Sequence, residues 1–201
     1  MHSEQQHTSK YLARHIAIVL VAFLYAYSTS VSAKPELKEE TQYYAISGDS
    51  ADALRREMNS KSNLSENGKN FDAYTRWNVR WHFNWENTAS YCSMTTVTTS
   101  VDVNITLPRW IDRDSAPAKL RKKWDRYYAA LVEHEHGHKE FGIKAAKAIE
   151  LSLSGMGRDS CSALQRDASN QANKILEKYI ALEKQYDIDT RHGMDDGAVF
   201  P

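Results

Sequence analysis

His134-Glu135-His136-Gly137-His138 sets two imidazoles four residues apart with a carboxylate between them. On an α-helix, residues i and i+4 share one face. His134 and His138 can therefore hold one zinc ion together. Glu135 lies about 100° round the helix from His134, where it can act as general base toward a water molecule. The same letters also describe two ordinary core histidines. The surroundings separate these readings. Leu120, Trp124, Tyr127, Leu131, His134, His138, Phe141, Ala145 and Ala148 recur at spacings of three and four, one stripe turned to the interior. Two histidines at ligand spacing on that stripe, with a glutamate between them, favour a metal site.

A catalytic zinc takes three protein ligands and keeps one position open. The extended pattern H-E-x-x-H-x-x-G-x-x-H fails here, because Phe141 stands at the glycine and Lys144 at the third histidine. Beyond residue 33 the histidines outside the motif are His82 and His192. His82 falls on the polar side of an alternating strand. His192 precedes Gly193 in a terminal segment that can fold back over the motif helix, so His192 is the expected third ligand. Asp187, Asp189 and Glu177 stand as carboxylate alternatives, since zinc accepts oxygen.

The elements that must position these residues are legible. The motif helix is expected over residues 118–153, stopped by Gly155-Met156-Gly157. A second helix is expected from Cys161 to Glu183, with Leu164, Ala168, Ala172, Ile175, Tyr179 and Leu182 buried. The segment from Tyr186 to Gly193 reads as a polar tail. Phe71, Ala73, Thr75, Trp77, Val79, Trp81, Phe83 and Trp85 alternate with polar residues, the period of a strand with one buried face. A tryptophan stripe of this kind can bind sugar or peptide, but core packing is its commoner use. A second alternating strand covers 97–107, and the turn between them makes the pair antiparallel. A short strand at Tyr43–Ser47 and a short helix at Ala51–Met58, capped by Asp49 or Ser50, precede them. Lys34 to Thr41 reads as a loosely held, charged leader.

Lys10 and Arg14, the apolar run Ile16–Tyr27 and the small-residue site Val31-Ser32-Ala33 form a secretory signal. Residues 34–201 are then one domain, exported and without stable membrane insertion once the signal is cut. Lys+Arg and Asp+Glu both number 26, a balance that gives no support for a nucleic-acid partner. Export also favours a Cys92–Cys161 disulfide, whose loop of about 70 residues corresponds to roughly 4 kcal/mol in the chain-entropy estimate.

The stretches Tyr43–Gly48, Asp72–Trp81, Leu107–Trp110, His134–His138 and Tyr186–Gly193 together resemble a bacterial family of unknown function that carries the label predicted secreted zinc-dependent protease. The resemblance spans nearly all of residues 34–201. It implies zinc on His134 and His138, Glu135 as base, and a part in the site for the stretch holding His192. It also implies an α+β fold similar to a small zincin, an antiparallel sheet packed on the motif helix and a second helix. The implied activity is a periplasmic or secreted metallohydrolase acting on peptide or protein. From their nearness to His192 in the sequence, and not from the resemblance, Tyr186 or Arg191 is expected to stabilise the oxyanion. The rival reading is a non-catalytic envelope protein that keeps a structural metal or a histidine cluster and binds through its tryptophan strand.

Overall fold

The computed structural model describes residues 34–66 and 69–201. The signal expected at residues 1–33 lies outside the described residues. No described helix is long and apolar enough to cross a membrane.

The tryptophan alternation forms strand β4 (Tyr74–Asn87), which turns at residues 88–91 into β5 (Cys92–Trp110). The two pair antiparallel, as expected, with one register shift between Asn84 and Trp85. On the other side of β5 lies β1 (Glu36–Ile46), and it pairs in parallel. The sheet is therefore mixed, a correction to the antiparallel expectation. The reason is topological. β1 and β4 run in opposite directions, and the returning β5 inserts between them, so it must run along β1. β1 also starts seven residues before its expected beginning, within the stretch read as a loose leader. Most of its residues are exposed, so no apolar alternation marked it. Its backbone pairing alone makes it a strand.

Helix α1 (Ala51–Lys61) is capped by Ser50, whose hydroxyl accepts the Ala53 N–H at 3.3 Å. Residues Ser65–Glu66 (β2) and Lys69–Asn70 (β3) make a small antiparallel ribbon before β4. The motif helix α2 runs from Ala118 to Leu153 and lies on the sheet. Val101, Val103, Ile105 and Leu107 of β5 are buried in the same core as Leu131, Ala145, Ile149 and Leu153 of α2. Gly157–Arg158 (β6) pairs with the start of β5. Helix α3 then spans Cys161–Asp189 and packs on α2, burying Leu164, Ala168 and Ala172. Cys92 and Cys161 are joined by the expected disulfide, with Cα atoms 5.1 Å apart, so the first residue of β5 holds the first residue of α3. The fold is α+β, a mixed sheet under three helices.

Candidate metal centre

The interior stripe of α2 carries both histidines into the protein. His134 is 4% exposed, Glu135 4% and His138 8%. Facing them is the last part of α3, which continues six residues past its expected end at Glu183. That extension decides the site. Glu183 and Asp187 are four apart on α3 as His134 and His138 are on α2, and the two pairs meet in antiparallel order. Asp187 Oδ1 lies 3.2 Å from His134 Nε2. Glu183 Oε1 lies 3.1 Å from His138 Nδ1.

Three atoms converge. His134 Nε2 and His138 Nε2 are 3.2 Å apart, and Asp187 Oδ1 is 3.2 Å from the first and 3.1 Å from the second. Hydrogen bonds alone cannot satisfy this triangle. The carboxylate oxygen only accepts, so each Nε2 would have to donate to it, and two donors would then face each other. A cation removes the conflict by taking a lone pair from each atom. Tetrahedral zinc bonded at 2.0–2.1 Å sets its ligand atoms about 3.3 Å apart, close to what is seen. The donors, two imidazoles and one carboxylate, also suit zinc. His134, His138 and Asp187 are the described residues that form such a group.

His192 stands outside it. Its Nδ1 is 3.4 Å from Asp187 Oδ1, and its ring packs 5.4 Å from that of Phe71. Asp187, not the expected His192, completes the group that could hold a metal, because α3 carries the aspartate to the two histidines before the chain turns away. Arg191, His192 and Gly193 all have positive φ in that turn, at 50°, 56° and 76°. Glu177 and Asp189 are exposed on α3. His82 is exposed on β4 and lines a different cavity. The signal for Asp187 was in the sequence. Carrying the α3 stripe on from Tyr179 by steps of four gives Glu183 and Asp187, whereas Leu182, expected to be buried, is 42% exposed.

Burial and mutual contacts shift the titration of this group. Burial works against the His138 imidazolium, but hydrogen bonds to Asp187 and Glu183 outweigh it and raise its pKa to about 10. Burial would raise the Asp187 carboxyl, yet the two histidines hold it well below the usual carboxylate range. Burial pushes Glu135 up, against a hydrogen bond donated by Thr75 Oγ1 to its Oε2 at 2.7 Å. His134 Nδ1 is buried without a hydrogen-bond partner among the described residues.

Two glycines make the arrangement fit. A Cβ on Gly137 would sit 2.3 Å from the Tyr186 hydroxyl, so this residue of the motif is a notch for the tyrosine. Tyr186 stacks on His134, with ring centroids 4.9 Å apart, and its hydroxyl donates to the His134 carbonyl at 3.4 Å. Gly142 is the notch for Trp77, whose Cβ and Cγ would lie 2.9 Å from an added Cβ. Arg191 is paired with Asp195. A cleft of about 320 Å³ opens on the group, lined by Glu135, Thr75, Trp77, Leu131, Ile180 and His192 among others. The whole run Phe71–Trp77 borders it, and β4 is an edge strand of the sheet.

Fold and site thus define an α+β protein with two buried histidines and a half-buried aspartate grouped between two helices. The family described as bacterial protein of unknown function (DUF922) matches residues 41–193, and the chain belongs to it. No curated protein and no solved structure matches the chain.

Proposed function

We propose that the protein is a zinc-dependent metallohydrolase, a peptidase with a zincin-like site, that works in the periplasm or outside the cell. The observation that carries this reading is the closed His134–His138–Asp187 triangle with the Glu135 carboxylate beside it in one cleft. His134, His138 and Asp187 hold the metal, and His192 supports Asp187 from outside. Three ligands suit a catalytic zinc, whereas a purely structural one takes four.

Zinc, when bound, supplies a Lewis acid that polarises a carbonyl and makes water acidic enough to attack near neutral pH. Glu135 takes the proton from the attacking water and returns it to the leaving amine. Thr75 holds one oxygen of Glu135, which orients the carboxylate and leaves the other oxygen for the proton. Its raised pKa suits this shuttle, because a base must hold the proton before giving it up. Leu131, Trp77 and Ile180 give the cleft an apolar wall beside these groups.

A polypeptide substrate is favoured by β4. An extended chain can add to a free strand edge through main-chain hydrogen bonds, and the consecutive run along the cleft offers that edge. The near-balanced charge offers nothing for nucleic acid.

Metal analysis of purified exported protein, with hydrolysis of unstructured polypeptides followed by mass spectrometry, tests the reading. About one zinc per chain and cleavage that stops on chelation are expected. Full activity in metal-free protein would overturn it. Zinc that cannot be removed without unfolding, with no hydrolysis, would favour the structural role.

A further inference from the structure

Trp77 belongs to the stripe that sequence patterning assigns to the core, and its ring does pack on α2. Its nitrogen does something else. Trp77 Nε1 donates to Glu183 Oε1 at 2.9 Å, and that same oxygen lies 3.1 Å from His138 Nδ1. An indole N–H can only donate, so Glu183 receives two donors at one atom and its rotamer is fixed from both sides. With Nδ1–H directed at Glu183, His138 presents a free lone pair at Nε2, the atom in the metal triangle. The ring is seated by Gly142, where any side chain would collide with it. The chain of contacts runs Gly142, Trp77, Glu183, His138, leaving α2 for β4 and α3 and returning to α2 at the metal face.

The other histidine is held differently. Tyr186 stacks on the ring of His134, and no described group meets its Nδ1. His138 alone has a carboxylate behind it, and that carboxylate has a dedicated donor.

Resting on the metal site proposed above, we infer that Trp77 is a positioning residue for the metal. It acts through Glu183 to fix the tautomer and aim of His138, and so contributes to zinc affinity from a strand that holds no ligand.

The test is a double-mutant cycle on zinc affinity, read by competition with a chromogenic chelator. Glu183→Ala should weaken zinc binding roughly 10–100-fold, the range for losing the outer partner of a histidine ligand. Trp77→Phe keeps the ring in its notch and removes the N–H. It should cost on the order of fivefold, the size of one net hydrogen bond. In the Glu183→Ala background, Trp77→Phe should cost nothing further. A role in packing alone would leave its effect unchanged in both backgrounds. A second readout is the indole ¹H–¹⁵N resonance that disappears in Trp77→Phe. In the wild type it should be slow to exchange with water and should shift when zinc is added. In Glu183→Ala it should exchange fast. Wild-type zinc affinity in Trp77→Phe, or an equal cost in both backgrounds, would overturn the inference while leaving the metal site standing. A wild-type chain that binds no zinc would remove both.

Discussion

Helix α2 passes through two environments, and they divide the work of the protein. Its first half is aromatic. Trp124 meets Trp110 and Phe200 edge-on at centroid distances of 5.8 and 5.4 Å, and Tyr127 packs 5.0 Å from Phe200. Tyr127, Asp72 and Arg55 pair their polar atoms there. Tyr127 donates to Asp72 at 2.6 Å, and Arg55 holds Asp72 at 2.7 Å and the Phe200 carbonyl at 3.0 Å. Its second part, from His134 to Gly142, buries two imidazoles and a carboxylate beside two glycines. Each such glycine costs about 1 kcal/mol of helix relative to alanine. The buried charges are only partly matched by the protein itself. The first region stabilises; the second spends stability to hold the group that could bind a metal, a division expected where a site sits on a rigid element.

The comparison can be broken by substitutions that affect only one side. Glu135→Gln should give the largest effect. It leaves the three ligands in place, so zinc content should match the wild type while hydrolysis falls by roughly 10²–10⁴-fold. Undiminished turnover in this variant would remove Glu135 as the base. In the aromatic half, Trp124→Ala should lower unfolding stability by about 3–5 kcal/mol, as for other large-to-small core changes. Denaturant titration would measure it. The protein that remains folded should bind zinc as before, and a matching loss of affinity would show that the two halves are coupled.

Asp187→Asn and His192→Ala sharpen the assignment inside the site. Loss of the carboxylate should weaken zinc by more than the roughly 10–100-fold typical of an outer partner. Loss of His192 should weaken it by less than that range. The reverse order, read by the same chelator competition, would return His192 to the third position.

The last comparison is on pH. In metal-free protein, the raised pKa of His138 contributes stability that is complete below its unfolded value near 6.5. That contribution is lost as pH rises through about 10. The depressed Asp187 contributes stability above its unfolded value of about 3.9, lost as pH falls below it. Thermal melts of chelated protein should show this pair helping most between about pH 4 and 6.5. The decline from pH 7 to 10 should disappear in His138→Gln. Zinc should reverse the trend above pH 6, since it competes with the proton on His138.

Much of this was legible from residue order. The three-and-four spacing placed α2 and both histidines, because helix periodicity is local. Strand alternation placed β4 and β5, and the two cysteines form the expected disulfide. His134, Glu135 and His138 were evident since one helical turn contains them. Residue order alone shortens β1 and leaves its direction open, because a mostly exposed edge strand carries no apolar pattern and its partner lies more than 50 residues away. The end of α3 has the pattern of a tail because Asp187, Asp189 and Arg191 look solvated when no partner is in view. Their neighbours could not be known until α3 packed on α2. That packing decided which of His192 and Asp187 reaches the histidines, for the choice depends on helix length and crossing. It also decided that Trp77, a core residue by its pattern, has its one polar atom on Glu183. Local periodicity sets which face of an element is buried; only tertiary contact sets what each buried polar atom meets.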